Sequence, residues 1–129
     1  MDKSASITKI TEAELDVMSA LWAADKPLNI TELKKLICQK NQWSGDTVKT
    51  LLRRLCNKGV VGQEKRQVFY YYPLISAAEY GRYSTQRIID KLYSGSARQL
   101  VVTLVQNEQL SPEDISALRA LWLKEDKKE

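Results

Sequence analysis

WSGDTVKTLLRRLCNKGVVGQEKRQVFYYYP, residues 43–73, changes its hydrophobic period midway, and that change decides the fold. In its first half Val48, Leu51, Leu52, Leu55 and Cys56 recur at i, i+3, i+4, i+7 and i+8, the stripe of a helix laid on a core. Ser44 is placed to cap this helix, which is expected to run to about Asn57 and close at Gly59, a residue free to take the left-handed conformation. Past Gly59 the period falls to two. Val60 and Val61 lead to a polar tip, GQEKRQ, and then to the aromatic and β-branched run VFYYY, ended by Pro73.

Upstream, Thr11 and Glu14 form a capping box, with Ile10 and Leu15 at the positions of a hydrophobic staple, so a helix should begin near residue 12. Its expected buried stripe is Leu15, Met18, Leu21 and Trp22. The turn ADKP ends it, and Asn29 with Glu32 opens a second helix carrying Ile30, Leu33, Leu36 and Ile37 and stopping near Gln42. Three short helices followed by a β-hairpin is the order of a winged helix-turn-helix, assigned to residues 1–75.

Downstream the pattern is helical. Ser76 and Glu79 form a capping box for a helix to about Tyr93, Ser96 caps the apolar segment LVVTLV, and Ser111-Pro112 opens a last helix. Ile88, Leu92, Leu100, Val101, Leu104, Val105, Ile115, Leu118 and Trp122 are more apolar surface than about fifty residues can hide, so 76–129 is read as a dimerisation segment. The fold class is mainly α with one small β-hairpin, and KEDKKE is a solvated tail.

Composition narrows the chemistry. The 129 residues carry a formal charge of +4, which suits a polyanion without requiring one. There is no His, and Cys38 and Cys56 stand apart, so neither a zinc site nor another cofactor is expected. No serine, cysteine or carboxylate has a histidine to work with, which argues against an enzyme. The start, MDKSAS, shows no leader signature, and no apolar run approaches a membrane span; a cytoplasmic protein with reduced thiols is expected.

The candidate site is the polar side of the helix in 44–58. Asp46, Lys49, Thr50, Arg53 and Asn57 oppose the apolar stripe, Thr47, Arg54 and Lys58 flank them, and Ser44 stands at the cap. In a major groove Lys and Arg reach guanine acceptors, Thr meets a thymine methyl and Asn pairs with adenine. Lys65 and Arg66 at the hairpin tip lie where a wing would follow the phosphate backbone. Asp46 opposes phosphate but suits the positive end of a helix. Trp43 is either a stacking residue or a ring closing the small core.

These segments resemble the penicillinase and methicillin-resistance repressors, the BlaI/MecI/CopY family. The residues carrying the resemblance are ITEAELDVMSALW (10–22), WSGDTVKTLLRRLCNKG (43–59), FYYYPL (69–74) and LVVTLVQNEQLSPEDISALRAL (100–121). The resemblance implies a homodimer on a palindromic operator in double-stranded DNA, blocking transcription, with Thr47, Lys49, Thr50 and Arg54 as recognition-helix contacts. It also implies relief by a sensor-activated protease at Thr103-Leu104. Two departures stand out: Gly45 and Asp46 replace the family's common Pro and basic residue, and Thr103-Leu104 replaces Asn-Phe. The alternatives are a winged helix that binds protein and a repressor with another regulon; the copper-responsive branch has a cysteine-rich tail that this chain lacks.

Overall fold

In the computed structural model, which describes residues 10–126, each helix of the first half starts where a side chain closes its first turn. The Thr11 hydroxyl accepts the Glu14 amide at 3.2 Å and the Glu14 carboxylate accepts the Thr11 amide at 2.9 Å, opening α1 (Glu12–Ala24). Asn29 and Glu32 make the same reciprocal pair at 2.9 and 3.0 Å ahead of α2 (Ile30–Asn41). The Ser44 hydroxyl accepts the Thr47 amide at 3.2 Å to open α3 (Gly45–Asn57). That helix ends on Gly59 at φ 78°: the Gly59 amide donates to the Cys56 carbonyl at 3.0 Å and the Val60 amide to the Leu55 carbonyl at 3.2 Å. This two-bond closure satisfies carbonyls the helix leaves free and turns the chain directly into the hairpin.

The hairpin differs from its sequence reading. Strand β2 (Val61–Lys65) takes in most of the expected polar tip and pairs antiparallel with β3 (Phe69–Pro73), Gly62 opposite Tyr72 and Lys65 opposite Phe69. The turn is Arg66–Val68, closed by the Arg66 amide donating to the Val68 carbonyl at 3.0 Å. Gln63 to Lys65 are exposed, so no apolar alternation marks them, and the ladder to β3 alone makes them a strand. A further strand, β1 (Leu28–Asn29), pairs with the other edge of β3, giving the sheet order β1-β3-β2.

The core lies between α1, α2, α3 and the sheet. Met18, Leu21, Leu33, Leu55 and Val60 are fully or almost fully buried. Val17 joins them, Leu15 and Trp22 pack at the margin, and Leu36 departs from the expected stripe, 52% exposed on an open groove between α1 and α2. Trp43 also packs on this core, as the ring-closing reading has it. Cys38 and Cys56 are half-buried free thiols against the same cluster, and burial pushes the Cys56 thiol upward.

The chain divides into two compact units, one through Thr85 and one from Gln86, inside α4 (Ala77–Leu92) and beyond the 75/76 junction read from the sequence. The reason is aromatic. Tyr80 and Tyr83 pack on the winged-helix core, the Tyr80 ring lies 5.8 Å from that of Trp22, and the Trp22 indole donates to the Ile75 carbonyl at 2.9 Å. Serines open the later helices as expected: Ser76 pairs reciprocally with Glu79 for α4, Ser96 caps α5 (Ala97–Gln106), and Ser111 pairs with Asp114 ahead of α6 (Pro112–Asp126). In the second unit Ile89 is buried, α5 buries no side chain, and Leu118, Leu121 and Trp122 of α6 are exposed, Trp122 at 74%. The segment KEDKKE begins as helix, while its end and the opening MDKSAS lie outside the described residues. Among the described residues no helix is long and apolar enough to cross a membrane.

Candidate nucleic-acid interface

Four residues fix which side of α3 meets solvent. Val48, Leu51, Leu52 and Leu55 are buried, so side chains set off by one or two positions project outward. Two rows result. Lys49, Arg53 and Asn57 line a groove shared with Ile30, Gln63 and Tyr71 of the flanking elements. Asp46, Thr47, Thr50 and Arg54 line a second cleft on the adjoining flank. Lys49, Arg53 and Arg54 are exposed, so three cations stand on a rod of the width that a major groove admits.

The hydroxyls are committed locally. Ser44 Oγ lies 3.1 Å from Thr47 Oγ1, and Thr50 Oγ1 donates to the Asp46 carbonyl at 3.0 Å. What Thr47 and Thr50 have left for a base is a methyl group and a remaining lone pair, suited to thymine more than to bidentate pairing. Asp46 is exposed in the first turn of α3, where the helix dipole favours an anion.

At the wing, cations rest on rings. The Lys65 ammonium lies 5.6 Å from the Phe69 ring centre, and the Arg66 guanidinium lies 4.6 Å from that of Tyr70. Arg66 Nε also donates to Glu64 Oε2 at 2.7 Å. These contacts hold the two basic side chains along the hairpin, and the remaining guanidinium N–H groups of Arg66 are the donors that can turn to a phosphate.

Lys58, one of the expected DNA-facing residues, is half-buried and engaged within the fold. Its ammonium donates to Glu14 Oε1 at 2.5 Å, and Glu14 is 1% exposed. Burial pushes the Glu14 carboxyl up, but the bonds from Lys58 and Thr11 outweigh it and hold the group below the ordinary glutamate range. The sequence reading assigned Glu14 only to a helix cap; nothing local pointed to a partner near the far end of α3. Lys34 was missed as well. A Cβ on Gly45 would stand 2.8 Å from Lys34 Cε and 3.1 Å from its Nζ, so the lysine of α2 crosses the first turn of α3 and adds a cation there. The one available signal was a glycine at the first position of a helix, where its conformational freedom serves no purpose.

The cleavage and dimerisation positions expected from the sequence are less uniform than the site on α3. Thr103 and Leu104 sit inside the hydrogen-bonded turns of α5 and, like Leu100, are half-buried, whereas Ile88, Leu92, Val101, Val105, Ile115, Leu118 and Trp122 are exposed.

The penicillinase repressor family profile matches residues 10–124. The chain is 33% identical to the penicillinase repressor of Bacillus licheniformis over 113 residues, covering 87% of this chain and 88% of that protein. It is 31% identical to the methicillin resistance regulatory protein MecI of Mammaliicoccus sciuri over 112 residues, covering 86% and 90%. In structure it is similar to the monomeric form of Bacillus licheniformis BlaI solved in complex with the blaP half-operator, at 36% identity and a TM-score of 0.50, over 56% of this chain and 88% of that one. The fold, the cationic side of α3 and the near full-length match agree: the chain belongs to the penicillinase repressor family, transcriptional repressors with a DNA-binding winged helix, not enzymes.

Proposed function

We propose that the protein represses transcription as a homodimer on a palindromic operator, each α3 entering the major groove of one half-site and each β2–β3 hairpin following the adjacent backbone. The observation that carries this reading is the sorting of α3, apolar on its buried side and bearing exposed Lys49, Arg53 and Arg54 on the other. Base contacts come from Lys49, Thr47, Thr50 and Arg54, backbone contacts from Arg53, Lys65 and Arg66. Dimerisation is supported by the second unit, whose helices leave Leu92, Leu118, Leu121 and Trp122 in water unless another copy covers them. Release by cleavage at Thr103-Leu104 is supported by α5, which has no fully buried side chain within one chain and so opens to a protease at little cost when the partner copy does not cover it. The relatives' names favour β-lactamase or related resistance genes as the regulon.

Lys49→Ala and Arg54→Ala test the reading, because both residues are exposed on a helix whose stability resides in its other side. A lost base contact is expected to weaken operator binding by ~1–3 kcal/mol, and a lost phosphate contact to lower the salt slope by about one. Unchanged affinity in both variants, with unchanged circular dichroism, removes α3 from the groove and favours a module that binds protein.

A further inference from the structure

We infer that Glu14 and Lys58 form a strut fixing the direction of α3, which makes them positioning residues for operator reading; this rests on the proposal that α3 enters the groove. Glu14 Oε1 accepts both the Thr11 amide at 2.9 Å and the Lys58 ammonium at 2.5 Å, joining the first turn of α1 to the C-terminal cap of α3. Capping does not explain the charge, since a glutamine at this position closes the same box. Nor does stability require a charge: ionised Glu14 is favoured over protonated Glu14 in the fold, but that is no advantage over an apolar pair. Glu14 Oε2 is buried without a hydrogen-bond partner, and a buried ion pair replaced by apolar groups commonly leaves a fold as stable or more so.

Direction is what a short, half-buried ionic bond adds to apolar packing, which lets a helix tilt. The lever is long. Thirteen residues at about 1.5 Å each place the first turn of α3 about 20 Å from Lys58, so a rotation of about 5° at that end moves the other by nearly 2 Å. That displacement exceeds the roughly 0.5 Å spread of a good hydrogen bond to a base edge. Lys49, Thr47 and Thr50 lie on the moving half.

The test uses the full-length protein carrying Glu14→Gln and Lys58→Met together, so that no charge is left buried and the cap is kept. It is titrated against a duplex from its own promoter and a scrambled duplex of equal length over a salt series, beside a thermal melt. Operator affinity is expected to fall about tenfold, the equivalent of one mismatched base pair, with affinity for the scrambled duplex and the salt slope unchanged. A slope reduced by about 0.9 makes Lys58 a phosphate contact and overturns the strut, and so does a folded variant that keeps its operator affinity. Lys58→Arg retains the charge and alters only the length and shape of the strut, so it decides the matter if the double variant does not fold. Reduced operator affinity at an unchanged slope supports the strut, and full affinity overturns it. A wild-type protein that does not distinguish operator from scrambled DNA overturns the groove reading itself, and the strut with it.

Discussion

A chain ending at Thr85 and one ending at Ser76 separate two roles that α4 combines. Tyr80 and Tyr83 are half-buried on the winged-helix core. An aromatic side chain buries about 150–250 Å² when covered, so roughly 100 Å² of each is at stake, worth about 2.5 kcal/mol apiece at ~25 cal/mol per Å². The Tyr80–Trp22 ring pair adds ~0.5–1.5 kcal/mol, and a partly collapsed unfolded chain lowers the sum to about 3–6 kcal/mol. A domain of this size has about 5–15 kcal/mol in all, so the chain ending at Ser76 is expected to be marginal and the chain ending at Thr85 well folded. The longer fragment, lacking the second unit, is expected to sediment as a monomer. It should bind a single half-site normally yet lose a factor on the order of 10²–10⁴ on the full palindrome, because its second domain no longer arrives at ~millimolar local concentration. Thermal melts, sedimentation and operator titrations of both fragments and the intact chain read all three quantities. Equal melting midpoints for the two fragments refute the aromatic argument, and a monomeric intact chain, or a Thr85 fragment as tight as the intact chain on the palindrome, refutes the dimer.

Two further outcomes follow from single residues. Glu14 is more acidic folded than unfolded, so its ionised form stabilises the fold above the unfolded pKa, and that contribution is lost as pH falls through the folded value. Melting midpoints of the wild type should drop more steeply than those of Glu14→Gln below about pH 4.5, and parallel curves would assign acid sensitivity to other groups. Gly62→Ala places a Cβ 2.6 Å from the Tyr72 ring across the β2–β3 ladder, where both backbones are hydrogen-bonded and the ring must move. A loss of about 1–3 kcal/mol is expected from chemical denaturation, and a neutral result would mean that the ring turns aside freely.

The helices were legible because their causes are local. A capping box spans three residues, an apolar stripe repeats within two turns, and Ser44 to Gly59 carries its own start and stop. What the sequence did not disclose depends on partners far along the chain. β1 has two residues and is a strand only because Tyr70 and Tyr71 lie alongside it. Lys58, at the C-cap of α3, has the same character as Lys49 by sequence, and its ion pair is with Glu14, 44 residues away. Lys34 reads as an ordinary solvated lysine of α2 until Gly45 is seen beneath it. The candidate site divided along the same line: exposed cations on α3 followed from periodicity, whereas their positioning did not.

The same distinction bears on how the proposed repressor would let go of DNA. Among the described residues the contacts that shape α3 are those of the first unit: the leucines beneath it, the Ser44 cap, Lys34 over Gly45, the Gly59 closure and the Glu14–Lys58 pair. A cut at Thr103-Leu104 in α5 touches none of them, so each freed winged helix keeps its own affinity for a half-site. What changes is the connection between two copies. α5 and α6 hold little buried surface of their own, so on the proposed dimer their order comes from the partner chain, and severing α5 removes α6 and part of the shared core in one step. The loss is then one of effective concentration, on the order of 10²–10⁴, enough to empty an operator held at nanomolar affinity without altering a single residue that reads it. A repressor arranged this way switches at its joint, and its reading head is free to diverge without disturbing the release.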